Sequence, residues 1–413
     1  MMAAKNYQEP FAHFLVALLL YLPTTALGWT EMYTLFVPIA FLFRHQVLER
    51  VKRFRKKPFH VRNRRTVWIS VAYLTLIVIN SLFSQQSIED YVFGPAFLFP
   101  LTILAAFIVA NPRVVNMLLI MIAVESLVAC AQYLAGHSTF FPWLELYHTF
   151  DNYQSLYHTR VLGLSQNSSH LAEKALVGML FLFFVRIRFK WLHPAALYPL
   201  FFATIVFTFG RTVMLVFLGA LIVYILLSIT RRDLSLVSRQ KWILYLTCLN
   251  FVILVITNRF WIDQFKRSTP LPPPPSENVG EKLIHALKLE EMDLAGRQTI
   301  WAAAINFISD NLWFGNHSER FLVNSKHVHN SYLEALATHG VFIFSLLILL
   351  IVTNLRHANL LFIGCVALYS LGQFGILWDT SFLDIVFYSA LFFVERIHDP
   401  NNREIPIRSD QGT

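Results

Sequence analysis

Charge is what this chain has least of. Only 14% of its 413 residues are Asp, Glu, Lys or Arg, against 56% hydrophobic, and the mean hydropathy is +0.51. A soluble domain of this size exposes more charge, so a water-soluble globular protein is disfavoured. Cysteine is scarce as well. Cys130, Cys248 and Cys365 all fall inside apolar runs, with no CxxC and no Cys/His spacing. That excludes a disulfide-stapled external loop and a zinc site, and leaves three small buried hydrophobes. There is no G-x-x-x-x-G-K-[ST] loop to cradle ATP phosphates and no D-x-D to hold a sugar nucleotide through a metal. The period-two alternation of a membrane β-barrel is also missing. The first apolar run has no small-residue cleavage site with a polar region after it, so it is expected to stay as a span rather than leave as a signal peptide.

What the chain has instead is repeated apolar runs, long enough as helices to cross roughly 30 Å of hydrocarbon. In lipid every backbone polar group must be satisfied internally, which favours helices. The expected fold is an all-α polytopic membrane protein of about twelve transmembrane helices. The spans lie near 11–27, 32–43, 67–83, 92–110, 115–134, 171–185, 194–209, 212–229, 242–256, 341–355, 360–377 and 381–394, the second being short.

Lys and Arg in the loops set the orientation. The stretch 44–65 holds Arg50, Lys52, Arg53, Arg55, Lys56, Lys57, Arg62, Arg64 and Arg65. Arg113, then Arg186, Arg188 and Lys190, then Arg231, Arg232, Arg239 and Lys241, then Arg356 mark alternate loops. With twelve spans these share one side, the cytoplasm, and both termini lie there. The loop 84–91 carries Glu89 and Asp90 and no basic residue, as suits the opposite side. The net charge of +9 is this cytoplasmic bias and needs no nucleic-acid partner.

This divides the chain into spans 1–9 with basic cytoplasmic loops (1–257), a large external segment between spans 9 and 10 (258–340), spans 10–12 (341–395) and a cytoplasmic tail (396–413). The external segment opens on a stiff proline-rich piece, 270–275, followed by an apolar stretch partly at helical spacing over 281–294. A further helix is expected from 297 to about 311, because Trp301, Ala304, Ile305 and Ile308 recur at i, i+3, i+4 and i+7. That face would lie on the membrane surface or roof the bundle as a lid.

The most informative point is the polar stretch Lys326-His327-Val328-His329-Asn330-Ser331-Tyr332-Leu333-Glu334 beside an apolar run. On the same external side, Arg211 follows Gly210 at the start of one span and Arg297 follows Gly296 at the start of the lid helix. An arginine fork suits phosphate oxygens, and a histidine near neutral pH takes a proton from a hydroxyl. Two arginines and a histidine therefore suit a diphosphate electrophile and an acceptor that loses a proton. The alternatives remain open from these residues alone. An arginine at a helix end also anchors lipid headgroups, and an external histidine is often a surface or capping residue.

Four motifs in order resemble the superfamily of O-antigen ligases and Wzy-type polysaccharide polymerases: Arg160-Val-Leu-Gly163-Leu-Ser-Gln-Asn167, Phe209-Gly210-Arg211-Thr212, Gly296-Arg297-x-x-x-Trp301 with Asn311-Leu-Trp-Phe-Gly315, and His329-Asn330 with Gly340 after nine intervening residues. The chain departs in lacking a second glycine after Gly340. The spacing after His329 favours a ligase over a polymerase. The resemblance implies a glycosyltransferase of the Gram-negative inner membrane that needs neither metal nor cofactor and faces the periplasm. Its donor would be a glycan on undecaprenyl diphosphate. Its acceptor would be a lipid A–core hydroxyl for a ligase, or another lipid-linked repeat for a polymerase. Arg211, Arg297 and His329 become the catalytic candidates, and Arg160, Asn167, Lys326, Asn330 and Glu334 the substrate-binding ones. Two other classes share parts of this pattern. A transporter or flippase would carry ionisable residues or helix breaks at mid-membrane in paired halves. An intramembrane serine protease would need a partner for Ser165, for which His170 stands too close in sequence.

Overall fold

A computed structural model describes residues 2–25, 27–28, 30–42, 44, 61–84, 94–137, 139–140, 160–165, 167–184, 196–208, 210–230, 297–323, 326–356, 359–373, 375–377 and 380–398. The expected ninth span, the proline-rich piece, the stretch 281–294 and most of the basic loops lie outside these residues.

Among the described residues the protein is all-helical, with no β-strand beyond two isolated bridges. The twelve α-helices are α1 (Met2–Tyr21), α2 (Phe36–Leu42), α3 (Val61–Ser81), α4 (Pro95–Val109), α5 (Pro112–Ala135), α6 (Ser168–Phe184), α7 (Leu197–Phe207), α8 (Arg211–Thr230), α9 (Arg297–Asp310), α10 (Ser331–Asn354), α11 (Leu360–Gly372) and α12 (Phe382–His398). Eleven sit where a span is expected, and α9 is the expected lid helix. Among the described residues two regions, Pro112–Leu134 and Ser331–Asn354, are long and apolar enough to cross a membrane. The second expected span is part 3-10 turn, Thr30–Leu35, and part α2.

The helix ends are written locally. Asn111 caps α5 by accepting from the Arg113 N–H, and Pro112 fills the first helical position. Gly136 ends it at φ +72°, a conformation that favours glycine. Ser381 opens α12, accepting from the Asp384 N–H and donating to its carboxylate, while the other carboxylate oxygen accepts from the Leu377 N–H. The hydroxyl thus caps the third helical N–H as in a capping box, but the carboxylate returns to the Ser381 hydroxyl and the Leu377 N–H instead of the cap's own N–H.

The bundle buries polar groups and exposes apolar ones. Ile120, Val124 and Leu127, on one face of α5, are exposed, as are Leu349 and Val352 on α10. Glu125, Lys174, Glu173 and Asp384 are buried. That inversion is what a protein solvated by hydrocarbon requires, and the fold is consistent with an all-α membrane protein. Contacts across the bundle fix its two ends. Thr66 on α3 bonds Asn354 at the end of α10, and Asn359 bonds the Ala390 and Leu391 carbonyls of α12. At the other end Asn80 on α3 bonds the Phe314 carbonyl and Ser318. The first end carries Arg65, Arg113 and Arg356; the second carries the starts of α6, α8, α9, α10 and α12.

The expected tenth span begins at Val341, yet its helix begins ten residues earlier, at Ser331, and breaks at Gly340 (φ +74°, ψ 174°). The break lets another backbone through. Leu312 O accepts from the Val341 N–H at 2.8 Å, and Asn316 N–H donates to Ala337 O at 2.8 Å. A Cβ on Gly340 would lie 2.3 Å from Trp313 O, and one on Gly315 would lie 2.5 Å from Ala337 O. Only glycine fits either position.

Candidate functional site at the polar end of the bundle

Three helix N-termini converge on the turn that follows α11. At the start of α8, Thr212 accepts from Gln373 Nε2 at 3.5 Å, and a Cβ on Gly372 would lie 3.0 Å from its methyl group. At the start of α9, Arg297 donates from Nη1 to the Gly372 carbonyl at 2.5 Å. At the start of α10, Ser331 Oγ donates to Gln373 O and accepts from the Gly375 and Ile376 N–H groups, at 3.3, 3.1 and 3.2 Å. Each N-terminus presents the positive end of a helix dipole, so the potential around this turn favours an anion.

The three catalytic candidates are carried by these three starts. Arg211 is the first residue of α8, Arg297 the first of α9, and His329 stands two residues before α10. The side chain of Arg211 is outside what the structure describes. Arg297 is near enough to His329 to act on its charge. Burial, then Arg297, His327 and Lys326 in that order, hold the His329 imidazole down from its usual 6.5 to about 4. The imidazole is therefore neutral at pH 7, with a ring nitrogen available to accept a proton. Its ring meets that of His327 edge-on at 6.5 Å. His329 has φ +54°, the left-handed region that a side chain enters only when its surroundings impose it.

The remaining candidates have mostly structural contacts. Asn330 caps α10, its Oδ1 accepting from the Tyr332 and Leu333 N–H groups. Asn167 caps α6 in the same way, accepting from the His170 N–H at 2.9 Å. Glu334 is buried. It accepts from the Val328 N–H at 3.2 Å and pairs with Arg320 Nε at 3.3 Å. Arg320 also donates from Nη2 to His327 Nδ1 at 2.8 Å. Lys326 is exposed at the rim. Arg160 precedes Val161, whose N–H donates to Phe207 O at the end of α7, so it lies near the chain leading into α8.

Sequence reasoning missed Arg320 and a second polar cluster. Glu125 on α5 is fully buried and receives the Tyr21 hydroxyl, the Leu164 N–H at 3.0 Å, Ser165 Oγ at 2.7 Å and Lys174 Nζ at 2.6 Å. Gln132, also on α5, clasps Gly163 at both its N–H and its carbonyl. Together they moor the Arg160–Asn167 stretch against α5. Because Ser165 donates to Glu125, a carboxylate rather than His170 is its partner, which counts against the serine-protease reading. The four buried charges were not separable in the sequence from the apolar runs around them. Among the described residues no group of His, Cys, Asp and Glu could hold a metal ion.

The protein is thus a helical bundle with apolar flanks, consistent with an all-α membrane protein, whose polar end gathers a guanidinium, a neutral imidazole and three helix N-termini. Residues 196–348 match the family model described as O-antigen ligase, which is consistent with the superfamily of O-antigen ligases and Wzy-type polymerases that the motifs resemble. The match contains Arg211, Arg297, Lys326, His329, Asn330 and Glu334, and leaves out Arg160 and Asn167. No curated protein matches the chain at a significant level.

Proposed function

We propose that this chain is a metal-independent, inverting glycosyltransferase that moves O-antigen glycan from undecaprenyl diphosphate to a lipid A–core hydroxyl, on the periplasmic face of a Gram-negative inner membrane. The observation that carries the reading is that Arg297, bonded to the turn after α11, lies near enough to His329 to help keep it uncharged, within a stretch that matches the O-antigen ligase family. In this reading the chain crosses the membrane in about twelve spans, with 258–340 as the periplasmic segment and the basic loops and both termini in the cytoplasm.

The acceptor oxygen attacks the anomeric carbon and gives its proton to a ring nitrogen of His329. The bond from that carbon to the diphosphate breaks on the opposite face, so the centre inverts. Charge gathers on the departing diphosphate, where Arg211 and Arg297 oppose it in a preorganised setting. The base step contributes on the order of 10²–10⁴-fold. Arg160 and Lys326 offer charge to further phosphates, and the amide of Asn330 lies beside the acceptor. Membrane lipids cover the apolar flanks, the undecaprenyl chain lies between helices, and no nucleic acid takes part.

The test is complementation of a strain lacking its O-antigen ligase, with wild type and His329→Ala, membrane levels matched by blot and lipopolysaccharide run on a gel. The reading expects ladders from wild type and none from His329→Ala. A well-inserted wild type that gives no ladder in this strain, yet extends single repeats in a polymerase-null strain, overturns the ligase in favour of the Wzy-type polymerase. Ladders surviving in His329→Ala remove the base assignment.

A further inference from the structure

We propose that Glu334 is a positioning residue for His329, acting through the Val328 peptide with Trp301 as its counterpart on the other side; this rests on the reading of His329 as the base. Val328 is fully buried and is gripped at both backbone groups. Its N–H donates to Glu334 Oε2 at 3.2 Å, and its carbonyl accepts from Trp301 Nε1 at 2.8 Å. One residue beyond His329, Asn330 is fixed by its own cap on α10. His329 thus hangs between two pinned residues, and the pins hold it at a φ of +54°, in the left-handed region that few side chains occupy.

The two grips come from different helices. Trp301 lies one turn after Arg297 on α9, so the two point from the same face. One reaches the Gly372 carbonyl and the other the Val328 carbonyl. Helix α9 therefore sets the distance between its own guanidinium and the imidazole. Glu334 comes from the first turn of α10 and reaches back six residues, two beyond the cap Asn330, where a capping box spans three. Its second oxygen is occupied by Arg320 Nε at 3.3 Å, and Arg320 holds His327. The carboxylate is spent on the backbone and on the guanidinium. That explains its burial better than a substrate contact would.

The experiment uses the full chain in nanodiscs, with Glu334→Ala, Glu334→Gln and Trp301→Phe beside wild type. Two readouts are taken: kcat and KM for transfer from an undecaprenyl-diphosphate glycan, and the rate at which diethyl pyrocarbonate modifies His329, followed by mass spectrometry. A displacement of about 1 Å costs on the order of 10²-fold in rate, so Glu334→Ala is expected to lower kcat by that order with KM near wild type. His329 should react with the reagent several-fold faster. Glu334→Gln keeps an oxygen for the Val328 N–H and should recover the larger part of the loss. A raised KM with kcat unchanged makes Glu334 a substrate contact and overturns the proposal, as does an unchanged modification rate in Glu334→Ala. If wild type transfers no glycan, the functional reading has failed, and the modification rate still decides whether Glu334 holds His329. Should Glu334→Ala fail to insert, Trp301→Phe removes the opposite grip while keeping the ring. Wild-type behaviour in that variant by both measures overturns the two-sided clamp.

Discussion

Replacing Gly340 with alanine tests how the site is attached to the bundle. The new Cβ would sit 2.3 Å from Trp313 O, 2.5 Å from Trp313 C and 2.6 Å from Gly315 N, all backbone atoms that no side-chain rotation can move away. The backbone there, φ +74° and ψ 174°, is one that essentially only glycine adopts, at a cost of about 1–3 kcal/mol for other residues. Forcing extra volume into a packed contact adds about 1–3 kcal/mol. The two together put the loss at roughly 2–6 kcal/mol, enough to part the 311–318 turn from α10. Gly364 on α11 is the internal control, since a Cβ there meets nothing within 4 Å. Gly364→Ala should gain about 0.5–1 kcal/mol from helix propensity. Both variants can be followed by thermal unfolding in detergent with fluorescence-detected size exclusion. A Gly340→Ala protein that melts with wild type, or a Gly364→Ala protein that melts as early as Gly340→Ala, would refute the reasoning.

Two further outcomes are expected. His329 is active as the neutral imidazole, so transfer should hold as pH falls and be lost only near pH 4. Removing a cation beside it with Lys326→Ala makes the imidazolium easier to form and should move that acid limb to higher pH in a pH profile of kcat/KM; a limb that stays or moves lower contradicts the electrostatics. At the Glu125 cluster, Glu125→Leu strands Lys174, Ser165 and the Leu164 N–H together and should cost about 3–5 kcal/mol. Lys174→Met leaves the carboxylate with its Tyr21, Ser165 and Leu164 donors and should cost clearly less in the same melting assay, so an equal or greater loss would show that the amine, not the carboxylate, is the hub.

The helices were legible because an apolar run announces itself whatever surrounds it; eleven of the expected spans coincide with α-helices. Their lengths were less legible. The start of α10 was missed by ten residues because Ser331 to Gly340 is helical without being uniformly apolar. Its signal is the cap, Asn330 accepting from two amides, and not hydropathy. The three starts carrying Arg211, Arg297 and His329 were readable as motifs. Their meeting on the turn after α11 was not, since Gln373, Gly375 and Ile376 contribute backbone groups that leave no mark in residue type. The same holds for Gly315 and Gly340. Each is visible as a glycine, but that they exist for one another is a fact of chain crossing. Glu334 was expected to bind substrate, and its partners within the chain are the Val328 amide and Arg320. Glu125 and Lys174 were hidden by the opposite effect, single charges inside runs that otherwise read as lipid-facing.

That buried pair also bears on how the protein is made. Helix α5 leaves the ribosome carrying a carboxylate whose amine, on α6, has yet to be translated. A lone charge at the centre of a membrane helix costs about 2.5–3.5 kcal/mol on insertion scales, and the cost falls away once the two neutralise each other. The stretch holding Leu164 and Ser165, which lies between the two helices in sequence, supplies two of the donors that receive the carboxylate. On the proposed topology, insertion of α5 is completed only when α6 arrives, so that the two helices and their connection would enter the bilayer as one cooperative unit.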